Sequence, residues 1–524
     1  MNRLVHNKLS WVAWLWLVLP LQAGATVRVP GFFNDHMVLQ REMPVPIWGW
    51  AGPGESVQVS FAGQVLETEA GADGKWMVKL QPMEATNEGQ VLTIGTNKIR
   101  DVVVGEVWIC SGQSNMQFAL AKVLNGDREV AEANYPAIRR LNMERTAAYL
   151  PRTDAQGEWS VCTPEVAGGY TAVGYFFGRK LHQELNIPIG LIDASWGGTG
   201  VEPWISQAGY VMVPELKEIW ERVAAGLPTS DEGQDDWEDY LAELEAWLPG
   251  ARKQVEASTL PVNIPKRPSK LVATHHAPTK IFNAVINPLV PYAIRGTIWY
   301  QGESNGGEGI SYFYKKKALI EGWRNIWGQG AFPFYLVQLA NLHPYNPKPE
   351  GGEGYARIRE AQRKCLELDN TGMAVTYDIG NPRDIHPKNK QDVGERLALW
   401  ALAKDYGRHD LVYSGPLYER IEIKGREAHI HFSSTGSGLM AGDKDGLQPT
   451  RQVDGPLKGF AIAGSDEVWH WADARIGPRG KTVILTSEKV PVPVAARYAY
   501  RWNPIESNLY NKEGLPAAPF RTDS

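Results

Sequence analysis

Ser114 stands in the run Gly105-Glu106-Val107-Trp108-Ile109-Cys110-Ser111-Gly112-Gln113-Ser114-Asn115-Met116, where an apolar strand-like stretch gives way to a helix expected over Gln117 to Leu124. A hydroxyl at such a junction lies beside free backbone N–H groups and the positive end of a helix dipole, both of which favour an oxyanion. The same position equally suits an N-cap serine with no chemical role. Arg383-Asp384-Ile385-His386-Pro387 offers a base, because a loop histidine with a carboxylate two residues upstream can donate Nδ1–H to it and keep Nε2 free for a serine proton. Taken alone, that histidine reads more simply as a surface residue beside an incidental aspartate.

Two further segments supply what an acyl-transfer site needs. Ser195-Trp196-Gly197-Gly198-Thr199-Gly200 follows an apolar run, and glycines without Cβ let backbone N–H groups approach a substrate oxygen. Trp299-Tyr300-Gln301-Gly302-Glu303-Ser304-Asn305 ends another run and brings amide side chains. Each could be a tight turn, but four such loops in the chain order Ser, Gly, amide, Asp/His match the parts of a serine hydrolase.

The elements that must position them follow from periodicity. Strand-like runs at Val102 to Cys110, Ile187 to Ala194, Gly296 to Tyr300, Pro333 to Leu339 and Met373 to Tyr377 alternate with helical segments, including one from about Gln391 to Asp405. That alternation predicts an α/β fold, a parallel sheet covered by helices, with reactive loops at the carboxyl ends of its strands. Short alternating runs between Thr26 and Arg100 predict a small β domain over 26–100, ahead of a catalytic domain over 101–409. An acidic helical insertion is expected over about 206–277, with its charges on a solvated face, and a β-sandwich over 410–524.

On the segments Gly112-Gln113-Ser114-Asn115-Met116 and Trp299-Tyr300-Gln301-Gly302-Glu303-Ser304-Asn305, the chain resembles the bacterial sialate O-acetylesterases of the SGNH hydrolase superfamily. The likeness extends from Phe32-Phe33-Asn34-Asp35-His36-Met37-Val38-Leu39-Gln40 to Tyr510-Asn511-Lys512-Glu513-Gly514-Leu515-Pro516. It implies a flavodoxin-like SGNH core flanked by small β domains, no metal or other cofactor, and hydrolysis of acetyl esters on sugars. It also implies Ser114 as nucleophile, His386 as base and a backbone N–H of Gly197 or Gly198 as oxyanion donor. The chain departs from the superfamily pattern twice. Asp384 precedes His386 by two residues where three is usual, which leaves Asp378 and Asp392 as reserve carboxylates. Ser304 occupies the amide position of the third block, so Gln301 or Asn305 must give any side-chain donor, with Gln301 favoured.

Composition bounds the function. In 524 residues, 43% hydrophobic and 22% charged content indicates a packed, multidomain protein, and a net charge of −5 points away from nucleic acid. The 20 Trp and 20 Tyr suit stacking on sugar rings, although core packing could use most of them. Charged residues Arg3, His6 and Lys8, the apolar run Trp11 to Leu21 and Ala23-Gly24-Ala25 read as a signal peptide over 1–25, hence export to the periplasm or beyond, with no membrane insertion after cleavage. Three cysteines, Cys110, Cys162 and Cys365, fit neither a disulfide scaffold nor a zinc pattern, and the adjacent pair His275-His276 reads as a loop feature. The resemblance, rather than composition, implies an O-acetylated sugar or glycan as partner, with O-acetylated sialic acid first. Acetylated xylan and a noncatalytic carbohydrate-binding role are the alternatives.

Overall fold

The computed structural model describes residues 27–268 and 274–523; the expected signal peptide lies outside them. Seven strands open the chain: β1 (Val38–Gln40), β2 (Val45–Trp50), β3 (Ser56–Phe61), β4 (Gln64–Glu69), β5 (Lys75–Leu80), β6 (Thr86–Ile94) and β7 (Asn97–Gly112). In β5, exposed Lys75, Met77 and Lys79 alternate with buried Trp76, Val78 and Leu80, the period-two pattern of a sheet with one wet face. From Val102 onward β7 is buried at every residue, as a strand covered on both faces must be.

Strand β7 therefore belongs to two regions. Its first half pairs antiparallel with β6, and its second half is the centre of a parallel sheet. The expected boundary at 100/101 falls inside this one strand. The sheet continues with β8 (Tyr135–Met143), β9 (Gly157–Cys162), β10 (Ile189–Ser195), β11 (Gly296–Tyr300), β12 (Phe334–Val337) and β13 (Thr371–Ala374), in the order β13-β12-β11-β7-β10-β8-β9. All neighbours run parallel except β9, which lies antiparallel along the β8 edge. Successive connections leave β7 first to one side and then to the other, so the crevice beyond its carboxyl end is the topological switch point, where ligands bind in open α/β sheets.

Helices cover both faces. Phe334 and Tyr335 are consecutive in β12 and so point opposite ways. Phe334 meets Trp323 of the helix Ile310–Trp327, and Tyr335 meets Trp400 of the helix Gln391–Lys404. The latter helix packs so closely on the helix Ala172–Leu185 that a Cβ at Gly394 would lie 2.6 Å from Phe176 Cβ. The insertion between β10 and β11 contains the 26-residue helix Asp231–Glu256, whose acidic residues are largely exposed.

Beyond Leu417 the chain forms antiparallel sheets. One contains Leu417–Lys424, Glu427–Ser433, Thr482–Thr486 and Asp473–Ile476; another contains Phe460–Ala463 and Ala495–Tyr498. Fully buried Arg359 ties them to the core, donating to the carbonyls of Leu339 and Ala340 on one side and of Arg501 and Trp502 on the other. All three cysteines are buried and unpaired.

Candidate active site

Three strands deliver their loops at one level. Gly112 ending β7 is in register with Ser195 ending β10 and with Tyr300 ending β11. At Gly112 φ is +137°, and a Cβ there would meet Tyr300 O at 2.1 Å, so only glycine lets the chain turn from β7 toward Ser114 this close to β11. Ser114 begins the short helix Ser114–Gln117 rather than capping it; the N-cap position is Gln113, which makes no capping side-chain bond. Phe118 and Ala119 then take extended conformations before a 3-10 turn at Leu120–Lys122, so the expected longer helix is interrupted.

Ser114 Oγ lies 2.9 Å from His386 Nε2. Phe118 stacks on the imidazole at 6.3 Å, and the histidine pKa falls below its ordinary value, chiefly through burial, then through Lys390 and Lys122, against the opposing pull of Asp384. Asp384 Oδ1 accepts the His386 backbone N–H at 2.9 Å and stands 3.8 Å from Nδ1. The two reserve carboxylates are engaged elsewhere: Asp378 forms a buried two-point pair with Arg396 at 2.7 and 2.8 Å, and Asp392 takes Lys444 and Asn389 at 2.7 and 2.6 Å.

The glycine loop lies against the serine, with a Cβ at Gly197 reaching 3.3 Å from Ser114 Cβ. Gly197 N–H donates to Gln117 Oε1 at 2.7 Å, whereas the N–H groups of Ser114 and Gly198 have no acceptor among the described residues. The amides behind are committed. Gln301 Nε2 donates to Asn305 Oδ1 and Thr199 O, and Asn305 Nδ2 donates to Glu202 and Glu308. Neither amide donates toward Ser114 in this arrangement. A carboxyl-terminal part of the insertion reaches the same rim, where His275 stacks on Trp196 at 4.8 Å.

A cleft of about 500 Å³ opens beside Ser114 and His386, with Lys122, Arg140 and Arg145 in its wall. The buried Asp193 also faces it, its carboxyl pushed up by burial and hydrogen-bonded by Ser195. Sequence reasoning missed these cations because nothing in their local spacing links them to Ser114. Among the described residues no group of three or more His, Cys, Asp or Glu could hold a metal ion.

The sequence model of carbohydrate esterase, sialic acid-specific acetylesterase, matches residues 104–270 and 273–403, the span that carries every loop of this site. The chain belongs to that family. This carbohydrate esterase is 32% identical to the sialate O-acetylesterase of Homo sapiens over 97% of its own length and 95% of the human chain. Against the Rattus norvegicus sialate O-acetylesterase the identity is 31%, over 95% and 94% of the two chains. These two relatives are mammalian; the bacterial likeness is carried by a solved carbohydrate acetylesterase of Xanthomonas citri, 35% identical with a TM-score of 0.77 over 95% of this chain and 100% of that one. The esterase thus shares its fold over 95% of its length with a carbohydrate acetylesterase.

Proposed function

We propose that this esterase removes O-acetyl groups from sialic acid through an acetyl-enzyme, with Ser114 as nucleophile, His386 as base and Asp384 as the carboxylate that orients it. The 2.9 Å contact between His386 Nε2 and Ser114 Oγ carries the reading. The lowered histidine pKa keeps the imidazole neutral and able to accept the serine proton. Ser114 Oγ attacks the acetyl carbonyl, and the oxyanion is met by the backbone N–H groups of Ser114 and Gly198, joined by Gly197 once Gln117 releases it. The sugar hydroxyl leaves with the proton held by His386, and water activated by the same residue frees acetate.

Lys122, Arg140 and Arg145 in the cleft wall favour an acidic sugar over a neutral one, since a carboxylate there gains charge-assisted hydrogen bonds. The apolar run Trp11 to Leu21 supports export. The test is acetate release from O-acetylated sialic acids and from acetylated xylo-oligosaccharides, by the wild type and by Ser114→Ala. The expected result is faster release from the sialic acids and none from the alanine variant beyond residual catalysis. Preference for the xylo-oligosaccharides would move the substrate to neutral polysaccharide, and near-normal release by Ser114→Ala would end the serine mechanism.

A further inference from the structure

Beneath the Ser114–His386 contact lies a buried polar cluster that the chemistry above does not use. Asn115, next to the serine, donates through Nδ2 to Glu303 Oε1 at 2.5 Å and to the carbonyl of Ile385 at 2.9 Å, and accepts from Lys390 Nζ at 2.5 Å through Oδ1. Both of its amide N–H donors and its carbonyl oxygen are engaged in this way. Ile385 precedes His386, so one amide links the residue after the serine to the residue before the histidine. Lys390 is fully buried, with its ammonium 5.0 Å from the Phe118 ring centre and 4.9 Å from that of Tyr300, and Phe118 also stacks on His386. Each member comes from a different strand end: Asn115 after β7, Glu303 after β11, and Lys390 from the segment after β13.

We propose that Asn115, Glu303 and Lys390 are positioning residues that lock the His386 loop onto the Ser114 turn, with the two buried charges compensating each other through the amide between them. The inference rests on the reading of Ser114 and His386 as nucleophile and base. It accounts for an asparagine and a glutamate in the Gly-Gln-Ser-Asn and Gln-Gly-Glu-Ser segments that do not line the cleft beside Ser114.

Burial pushes the Lys390 pKa down to about 7, with Glu303 and Asp384 pulling it back up, while burial raises the Glu303 carboxyl against its backbone bonds, Asn115 and Lys390. The charged groups bearing on His386 are Asp384 on its own loop, Lys390 beyond it and Lys122 from the turn after the serine. Of these, Lys390 and Lys122 favour the neutral imidazole. Removing the Lys390 charge therefore raises the histidine pKa and moves the acid limb of kcat/KM to higher pH, which a merely structural defect would not do.

The experiment compares p-nitrophenyl acetate hydrolysis by the full-length wild type, Asn115→Ala, Glu303→Gln, Lys390→Met and the Glu303→Gln/Lys390→Met double variant, with Ser114→Ala alongside. Asn115→Ala is expected to lower kcat by about tenfold or more with little change in KM. Lys390→Met is expected to shift the acid limb upward, and the double variant to melt higher than Lys390→Met, because a lone buried charge is costlier than none. The double variant supplies the pH profile should Lys390→Met fail to fold. Normal kcat in Asn115→Ala, or an unmoved acid limb in a folded variant lacking Lys390, overturns the positioning role while an inactive Ser114→Ala keeps the serine reading. An active Ser114→Ala overturns that reading and, with it, the positioning role built on it.

Discussion

Asp384 Oδ1 sits 2.9 Å from the backbone nitrogen of His386 but 3.8 Å from its Nδ1. The carboxylate thus shapes the loop already, and its proposed orienting role requires the 3.8 Å separation from Nδ1 to close when substrate binds. Asp384→Asn is expected to lower kcat for acetate release by orders of magnitude, about 10⁴ in the best-studied triad. A loss below about tenfold would confine Asp384 to holding the loop.

Asp378→Asn should behave differently. It leaves the buried Arg396 guanidinium without its two-point partner, so the cost is expected in stability, about 3–5 kcal/mol, rather than in the chemical step. Denaturant unfolding beside kcat measured at low temperature separates the two. A stable but inactive variant would move the orienting role from Asp384 to Asp378.

With His386 as the proposed base, its lowered pKa is expected to set the acid limb of the pH profile. Since the base must be unprotonated, kcat/KM is expected to hold until the pH drops below the ordinary imidazole value of about 6.5 and to fall off beneath it. Lys122→Gln removes one of the charges that depress the pKa, so its limb should lie higher. A Lys122→Gln profile superimposable on the wild type would show that this lysine does not reach the imidazole electrostatically.

Arg145 donates to Ser195 O at 2.9 Å and faces the cleft. Arg145→Gln is expected to raise KM for O-acetylated sialic acid by about tenfold, the loss of one charge-assisted contact, and to leave p-nitrophenyl acetate hydrolysis nearly unchanged. Equal losses on both substrates would assign the arginine to the glycine loop instead.

Glu106, fully buried in β7, is held by Arg41 at 2.6 Å, Arg295 at 2.8 Å and Gln40 at 3.0 Å. Burial pushes its carboxyl pKa up, but the bonds from Arg295, Arg41 and Gln40 win and leave it below the ordinary value. A carboxyl depressed on folding contributes stability that is present above its unfolded pKa and lost as the pH falls through its folded one. Glu106→Gln is therefore expected to destabilise the enzyme at neutral pH by about 3–5 kcal/mol and by less in strong acid. A pH-independent difference in unfolding free energy would refute that assignment.

What the sequence discloses depends on whether a residue's environment is local. Strands β7, β10 and β11 were legible because burial on both faces demands uninterrupted apolar runs. Strand β8 was not, because Arg139 and Arg140 interrupt it; Arg139 is buried only by virtue of bonds to His36 O and Asp101, far away in the chain. In the site, the sequence left Ser114 between a nucleophile and a helix cap and His386 between a base and a surface residue; their 2.9 Å contact across 272 positions appears only in the fold. Donor direction was not legible either. Gln301 and Asn305 have the right chemistry, yet their amides turn to Thr199, Glu202 and Glu308. Asn115 and Glu303 lie inside the motifs that carry the family resemblance, but their contact spans 188 positions and becomes visible only in three dimensions.

The sixteen residues of β7 run without a break from the antiparallel amino-terminal sheet to the turn that presents Ser114. The amino-terminal strands are consequently not an appendage that can be trimmed from the enzyme. Cutting the chain at residue 100 would strip β6 from the first half of the strand and β1 from its middle, and the exposed edge would fray toward Ser114. Hydrogen exchange should accordingly find the amides of Val103 and Ile109 opening together, as one cooperative unit whose loss at either end is felt at Ser114.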